Sequence, residues 1–504
     1  MNLLLDEVDV VETSGDPATV DVRGVTHDSR LVAPGDLYCC VPGRLDDGHR
    51  YAAEAVSRGA VGLLCEHLVD GLADDRVVQA VVGPGRVRSA MARVAAAFWG
   101  FPARSLLMAG VTGTNGKTSV THLLGAVLRH AGRPTTVLGT LSGARTTPEA
   151  TDLQRLLAEV RDGAPKAGDA MAQPAVAMEV SSHALAQSRV DGIHFDVAVF
   201  TNLSHDHLDY HGTMEDYYQA KASLFTSERA VQGVVSADDR WGRRLLAEAR
   251  IPVVPVSRAD ASNVQLSAGC STFTWRSLPV RLAMTGAVNV ENALLAAEAA
   301  VALGVDPPLV AAGLGAAPPV PGRMEALATP RPGGPDATVL VDYAHTPAGV
   351  EVALVEARRV AGPRGRVIVV FGCGGDRDRK KRPMMGAAAT RGADLAFLTS
   401  DNPRHEDPAA IVDQVLAGVE PSAAEARAAG RLVVEPDRRR AIELAIAAAA
   451  AGDVVVVAGK GHETVQEIGD RRLPFDDRAV VTEILQARWP AGPTGRVPSA
   501  GDEG

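Results

Sequence analysis

The segment Gly113-Thr-Asn-Gly-Lys-Thr-Ser119 carries the clearest chemistry in the chain. It lies between the apolar run Leu106–Val111 and a helical pattern that starts at Val120. In such a turn the glycines let backbone N–H groups wrap phosphate oxygens, and the helix start adds its positive end. Lys117 would reach the outer phosphates, and the Thr118 hydroxyl suits Mg²⁺. The strict GxxxxGK[ST] spacing is not met, because its first glycine would fall at Val111. A glycine-rich structural turn is the competing reading.

Further reactive clusters follow apolar runs. Glu179 ends the run Ala175–Val180, a place from which a carboxylate could help hold Mg²⁺; a surface charge at a strand exit is the plainer alternative. His205-Asp-His-Leu-Asp-Tyr-His211 packs three imidazoles and two carboxylates into one segment, close to the HxHxDH pattern of binuclear zinc hydrolases but with Tyr210 inserted. A zinc hydrolase is therefore a rival reading, although it leaves the phosphate loop unexplained. Lys221, in Tyr217-Tyr-Gln-Ala-Lys221, reads from pattern alone as a surface lysine on a helix. Asp342 follows a strand pattern and could accept a ribose hydroxyl. Gly372–Asp378 and Asp401-Asn-Pro-Arg404 each place an arginine in a turn at a strand end, where paired guanidiniums suit a carboxylate.

The elements around these clusters read as α/β. Residues 1–102 mix short strands (Val20–Val25, Asp36–Val41, Ala60–Cys65) with the helical stretch Val87–Trp99 and end in Gly100-Phe101-Pro102. Residues 103–329 alternate apolar strands with amphipathic helices, the signature of βαβ units on a mostly parallel sheet. A Pro/Gly-rich stretch closes this region, and the alternation restarts at Thr338 and runs to about 490. In open α/β sheets ligands sit outside the carboxyl ends of the strands, which is where nearly every polar cluster falls. Residues 491–504 are expected to be disordered.

Length and composition bound the possibilities. The 504 residues suggest about three domains. A net charge of −10 argues against a general nucleic-acid binder, so any phosphate must be met by a few placed cations and backbone amides. Five cysteines, without a CxxC pair, suggest neither a disulfide framework nor a zinc ribbon and fit a reducing, cytoplasmic setting. No signal peptide or membrane-spanning run is evident.

Taken in order, the motifs resemble those of the Mur ligases of peptidoglycan synthesis. The likeness rests on THDSR at 26–30, GTNGKT at 113–118, TTPEA at 146–150, MEVSSHALAQSRV at 178–190, TNLSHDHLDYHGT at 201–213, the Tyr217–Lys221 segment, GRMEAL at 322–327, VDYAHTP at 341–347, FGCGGDRDRKKRP, SDNPRHEDP and VAGKGHE. It covers everything but the tail. The resemblance implies three domains: an α/β domain for the UDP end at 1–102, a central P-loop ATPase at 103–329, and a Rossmann-like domain for the amino acid at 330–490.

It also implies roles for individual residues. Ser29 and the loop Arg44-Leu-Asp46 would contact uridine, and Thr146, Thr147, Ser181, Gln187 and Arg189 the muramoyl-dipeptide. Gly113, Thr114, Asn115, Gly116, Lys117, Thr118 and Ser119 would hold ATP, with Asn292 and Asp342 near the adenosine. Thr118, Glu179 and His207 would serve Mg²⁺, joined by Lys221 as a CO₂-derived carbamate. Arg377, Asp401, Asn402, Pro403, Arg404, Gly459 and Glu463 would receive the amino acid. His27 before DSR and Arg145 before Thr-Thr depart from common family residues. The implied activity is ATP-dependent addition of meso-diaminopimelate to UDP-N-acetylmuramoyl-L-alanyl-D-glutamate through an acyl phosphate, by a monomer without nucleic-acid or membrane partners. A lysine-adding relative and a folylpolyglutamate synthase-like ligase are the near alternatives; a noncatalytic P-loop switch is a distant one.

Overall fold

The computed structural model describes residues 1–43, 46–72, 76–143, 145–163, 173–328 and 337–489. Arg44 and the tail 491–504 thus lie outside the described residues, as does the expected boundary at 329–330. The chain forms two compact units. The first comprises Met1–Ala261, Trp275–Leu278 and Glu291–Ala317; the second comprises Ser262–Thr274, Pro279–Val290 and the chain from Pro318 onward.

The first unit holds two sheets. Strands β1 (Glu12–Ser14), β2 (Gly24–Thr26), β3 (Asp36–Cys39), β4 (Gly62–Cys65) and β5 (Val78–Val81) pair in the order β1-β5-β4-β3-β2. Only β1 runs antiparallel to its neighbour. The expected strand Val20–Val25 gives way to the shorter β2, which starts at Gly24 and ends one residue past Val25, and the Val20 carbonyl accepts from the N-terminal ammonium at 2.7 Å. The second sheet comprises β6 (Leu107–Thr112), β7 (Thr135–Leu138), β8 (Ala175–Glu179), β9 (Phe195–Phe200), β10 (Ala230–Ser236) and β11 (Val253–Val256), in the order β11-β10-β9-β6-β8-β7. All its pairings are parallel. Helices cover both faces, so β6 and β8 are apolar runs rather than alternating ones, and Met108, Ala109, Val111, Val176 and Ala177 are fully buried. Because β6 is flanked by β8 on one side and β9 on the other, the loops leaving these three strands are neighbours. This is the crevice an open α/β sheet offers to a ligand.

The second unit centres on a six-stranded sheet of β15 (Glu325–Ala328), β16 (Thr338–Asp342), β17 (Val367–Phe371), β18 (Leu395–Leu398), β19 (Leu432–Val434) and β20 (Val454–Ala458). The order is β15-β16-β20-β17-β18-β19, parallel apart from the edge strand β15. The late strand β20 inserts between β16 and β17, which brings the turns after Asp342, Phe371, Leu398 and Ala458 to one edge of the sheet. The hairpin β21 (Val465–Ile468) and β22 (Arg471–Pro474) follows β20. A three-stranded sheet of β12 (Ala261–Ser267), β13 (Cys270–Trp275) and β14 (Leu278–Leu282) completes the strands. Among the described residues no helix is long and apolar enough to cross a membrane.

Candidate active site

The loop after β6 turns through Gly113 (φ 146°) and Gly116 (φ 86°), conformations that cost glycine little and other residues much. Side chains would not fit either. A Cβ on Gly113 would run into the Thr201 hydroxyl, and one on Gly116 would stand 2.5 Å from Asn292 Oδ1. The glycines therefore hold the backbone against the end of β9 and against the helix that carries Asn292. The helix Lys117–His130 begins directly, with Gly116 at its cap, so its unbonded N–H groups face the loop. Lys117 Nζ donates to the carbonyls of Gly113 (3.0 Å) and Thr114 (2.9 Å). Among its hydrogen bonds, the Thr118 hydroxyl donates to Glu179 Oε1 at 3.0 Å. Glu179 is 1% exposed, and its carboxylate also takes the Thr140 N–H at 2.8 Å. A hydroxyl and a carboxylate in contact at the foot of a phosphate loop are the oxygen donors a hard divalent cation prefers. Both the nucleotide and the ion fit these residues.

Lys221 overturns its pattern-based reading as a surface lysine: it is 1% exposed. It lies on the helix Met214–Ala222, one turn after Tyr217, whose ring centre is 4.7 Å from Nζ. Its Nζ donates to the Gly113 carbonyl at 2.7 Å. Burial, reinforced by the Lys117 charge, pushes this ammonium well below the ordinary lysine value.

The histidine-rich segment does not assemble as the zinc reading requires. Among the described residues no three of His, Cys, Asp or Glu gather as a metal group, and His205, His207 and Asp209 are exposed. Instead His207 and His211 lie edge-on to His183, with ring centres 4.9 and 5.5 Å away. Burial, then the His207 charge, lowers His183 to about 4. His211 falls to about 4 through burial and His183, and its Nε2 lies 2.9 Å from the Ser182 hydroxyl.

The same strand end organises the dipeptide candidates. Thr147 Oγ1 donates to the Glu179 carbonyl (2.9 Å), accepts the Ser181 N–H (3.0 Å) and lies 3.3 Å from Ser181 Oγ. Thr146 Oγ1 lies 3.1 Å from Thr140 Oγ1. Arg189 donates to the Thr147 carbonyl (3.0 Å) and Gln187 Oε1 (2.6 Å) and pairs with Glu149 at 2.9 Å. Glu149 also pairs with Arg145 and, at 3.7 Å, with Arg88. Ser29 opens the short 3-10 turn Ser29–Leu31 between β2 and β3, where its hydroxyl donates to Glu54 at 3.0 Å. Nearby, His27 Nδ1 lies 2.8 Å from the Thr151 hydroxyl.

In the second unit Asp401, Asn402, Pro403, Arg404, Gly459 and Glu463 come together. Asn402 donates to Glu463 Oε2 (2.8 Å), while Lys460 Nζ reaches Asn402 Oδ1 and Glu463 Oε2, both at 3.2 Å. A Cβ on Gly459 (φ 117°) would stand 2.9 Å from the Asp401 carboxylate. Arg404 donates from Nε to Glu467 (2.9 Å) and from Nη1 to the Gly375 carbonyl (2.8 Å). Arg377 is exposed on the adjacent turn, with a contact to its neighbour's carbonyl at 3.1 Å. The Asp342 carboxylate accepts the N–H groups of Met324 and Ala344, each at 2.8 Å, and burial raises its value.

Sequence reasoning passed over Glu149, Lys460, Glu467 and His183. Glu149 stood in the quoted TTPEA motif and Lys460 in VAGKGHE, but no spacing rule ties Glu149 to Arg88 and Arg189 or Lys460 to Asn402.

Comparison with known proteins covers nearly the whole chain. Residues 111–300 match the Mur ligase middle domain, and residues 322–461 match the Mur ligase glutamate ligase domain. The UDP-N-acetylmuramoyl-L-alanyl-D-glutamate–2,6-diaminopimelate ligase of Streptomyces avermitilis is 44% identical over 488 residues, covering 92% of this chain and 93% of the relative. The protein of the same name from Gloeobacter violaceus is 42% identical, with 94% and 96% covered. A solved structure of a ligase of that name superposes with a TM-score of 0.61 at 30% identity, covering 93% of this chain and 95% of the other.

Proposed function

The chain belongs to the Mur ligase family, and on that premise we propose that it joins meso-diaminopimelate to the D-glutamate of UDP-N-acetylmuramoyl-L-alanyl-D-glutamate at the expense of ATP. Its named relatives carry that activity in their names, at 44% and 42% identity over nearly the full chain.

One observation carries the mechanism. Glu179 is bound through its side chain by Thr118 of the phosphate loop and through its carbonyl by Thr147 of the dipeptide group. The side chains proposed for the nucleotide and for the acceptor thus meet at one residue. A carboxylate is a poor electrophile, so the γ-phosphoryl group of ATP passes to the glutamate carboxylate, breaking its bond to ADP and forming an acyl phosphate. The free amine of diaminopimelate then attacks the acyl carbon, and the tetrahedral intermediate expels phosphate to leave the amide. Lys117 meets the charge on the transferring group, and the loop amides orient it; phosphoryl transfer is mainly such positioning and neutralisation. Mg²⁺ at Thr118 and Glu179, with His207 and a carbamate on Lys221 as further oxygen and nitrogen donors, would add charge neutralisation.

In this reading Ser29 and Arg44 serve the UDP end, Asn292 and Asp342 the adenosine, and Arg189 with Gln187 the dipeptide. Residues 1–102, 103–329 and 330–490 divide the work as three domains, and a single copy acts in the cytoplasm. The test is phosphate release across a panel of amino acids with the UDP-dipeptide and ATP present. Diaminopimelate should be the strong co-substrate. Release with lysine alone would favour the lysine-adding variant, and release with neither would remove the reading.

A further inference from the structure

Two turns of the second unit carry the arginines read above as carboxylate receivers: Gly372–Asp378 with Arg377, and Asp401–Arg404 with Arg404. Nothing in the spacing of either turn fixes its distance from the other, yet they are laced tightly. Gly375 N–H donates to the Asn402 carbonyl at 2.8 Å. A Cβ on Gly375 would collide with the Pro403 carbonyl, and one on Gly374 would stand 3.0 Å from Arg404 Nη1. The glycines of this loop are therefore there for close approach.

Beneath the lacing lies an ion pair that the mechanism does not use. Arg382, on the helix Lys381–Gly392, has a fully buried side chain. It donates to both oxygens of Glu406, at 2.8 and 3.0 Å, to Gln414 Oε1 at 2.8 Å and to the Gly374 carbonyl at 3.1 Å. Glu406 follows the second turn and accepts the Asp376 N–H of the first at 2.7 Å. Arg379, directly after the first turn, pairs with it at 3.1 Å. One guanidinium and one carboxylate thus hold both turns at once. A buried pair of this kind is costly to assemble and gains little net stability over apolar packing, so its use here is geometric.

We propose that the Arg382–Glu406 pair is a positioning element that sets the separation of the two arginine-bearing turns, and with it the affinity for the far carboxylate of the diamino acid. This rests on the reading of Arg377 and Arg404 as carboxylate receivers. Arg382 holds the Glu406 carboxyl down to about 2, so the clamp stays charged throughout the working pH range.

The test compares wild type with Glu406→Gln, Glu406→Ala and Gly375→Ala, measuring KM for diaminopimelate, ATP and the UDP-dipeptide, the preference for diaminopimelate over lysine, and Tm. Gly375→Ala leaves the pair intact but forces the turns apart, so it reports whether their separation matters, while Glu406→Gln, which keeps the side-chain shape, tests the pair where Glu406→Ala does not fold. Each folded variant should raise KM for diaminopimelate by about 10- to 100-fold, the cost of a misplacement of about an ångström, and should narrow the preference over lysine. KM for ATP and for the UDP-dipeptide should stay near wild type, and Glu406→Gln, which keeps an acceptor for Asp376, should be milder than Glu406→Ala. Wild type that takes no diaminopimelate would overturn the underlying reading. Wild type that takes it, with an unchanged KM in Glu406→Gln whatever Gly375→Ala does, or an equal rise in all three KM values, would overturn the role of the pair alone.

Discussion

Lys117 and Lys221 share one acceptor: both ammoniums donate to the Gly113 carbonyl, at 3.0 and 2.7 Å. The two sit on helices far apart in sequence, and each disfavours the other's charge. Lys221 is the one that yields, because it is buried and Lys117 is only half-buried. A lysine pushed well below its ordinary value holds a larger share of neutral amine, the form that can add CO₂. The arrangement therefore supplies the reactive form of the amine where the carbamate is proposed.

Lys221→Ala should lower ligase turnover by about 100-fold or more, in the range of lost charge stabilisation at a reacting centre. A small carboxylate such as acetate should restore part of it by replacing the carbamate. Intact mass under carbamate-preserving conditions should show the added CO₂ in active enzyme. Fully active enzyme with unmodified Lys221 would remove the carbamate from the mechanism.

Lys117→Ala should abolish ligation while leaving Tm and the circular dichroism spectrum close to wild type. The glycines and the helix start remain, but the cation that meets charge on the transferring phosphoryl group is gone, a loss of about 3–4 kcal/mol in the transition state. Wild-type turnover in the folded variant would exclude ATP-driven ligation at this loop.

Arg404→Ala should raise KM for diaminopimelate by about 10- to 100-fold and shrink its advantage over lysine, with KM for ATP little changed. Lysine lacks the far carboxylate, so it leaves the receiving guanidinium without that partner, and a polar group so stranded discriminates strongly. Arg404 already holds Glu467 and the Gly375 carbonyl. These contacts orient it, and Glu467→Gln should therefore show a smaller change of the same sign. An undiminished preference for diaminopimelate in Arg404→Ala would show that another residue selects.

His405 bridges two exposed carboxylates, with Nδ1 2.8 Å from Asp376 and Nε2 3.3 Å from Asp470. The hydrogen bond to Asp376, then that to Asp470, raises its value above the ordinary one. A raised value in the folded protein means that protonation stabilises the fold. The contribution is complete below the unfolded histidine value of about 6.5 and is lost as pH rises through the folded one. The Tm difference between wild type and His405→Gln should thus be larger at mildly acidic pH and vanish in alkaline buffer. A difference that grows with pH would contradict the sign. Exposure keeps the effect small.

The phosphate loop and Glu179 were legible because each is local: a glycine turn between strand and helix, and a carboxylate at a strand end. Lys221 was misread from pattern because its burial depends on what covers the helix. Its signal was Tyr217, four residues earlier and so on the same face. The histidine segment misled in the other direction: His207 and His211 pack against His183 rather than gathering with carboxylates, and His205 is exposed. Arg382 lay in a quoted motif without a role, since its partners Glu406 and Gln414 belong to other elements. Contacts that join distant elements leave no periodicity to read.

Glu149 gathers Arg88, Arg145 and Arg189 around a single carboxylate. Three guanidiniums against one carboxylate leave surplus positive charge at this place, on a chain whose formal charge is −10. For a polyanionic nucleotide-sugar peptide the surplus acts before any contact forms: it biases the direction of approach and raises the rate of encounter. Such long-range attraction is screened beyond about 10 Å at 0.1 M salt. Added salt should therefore slow the arrival of this substrate more than its conversion once bound.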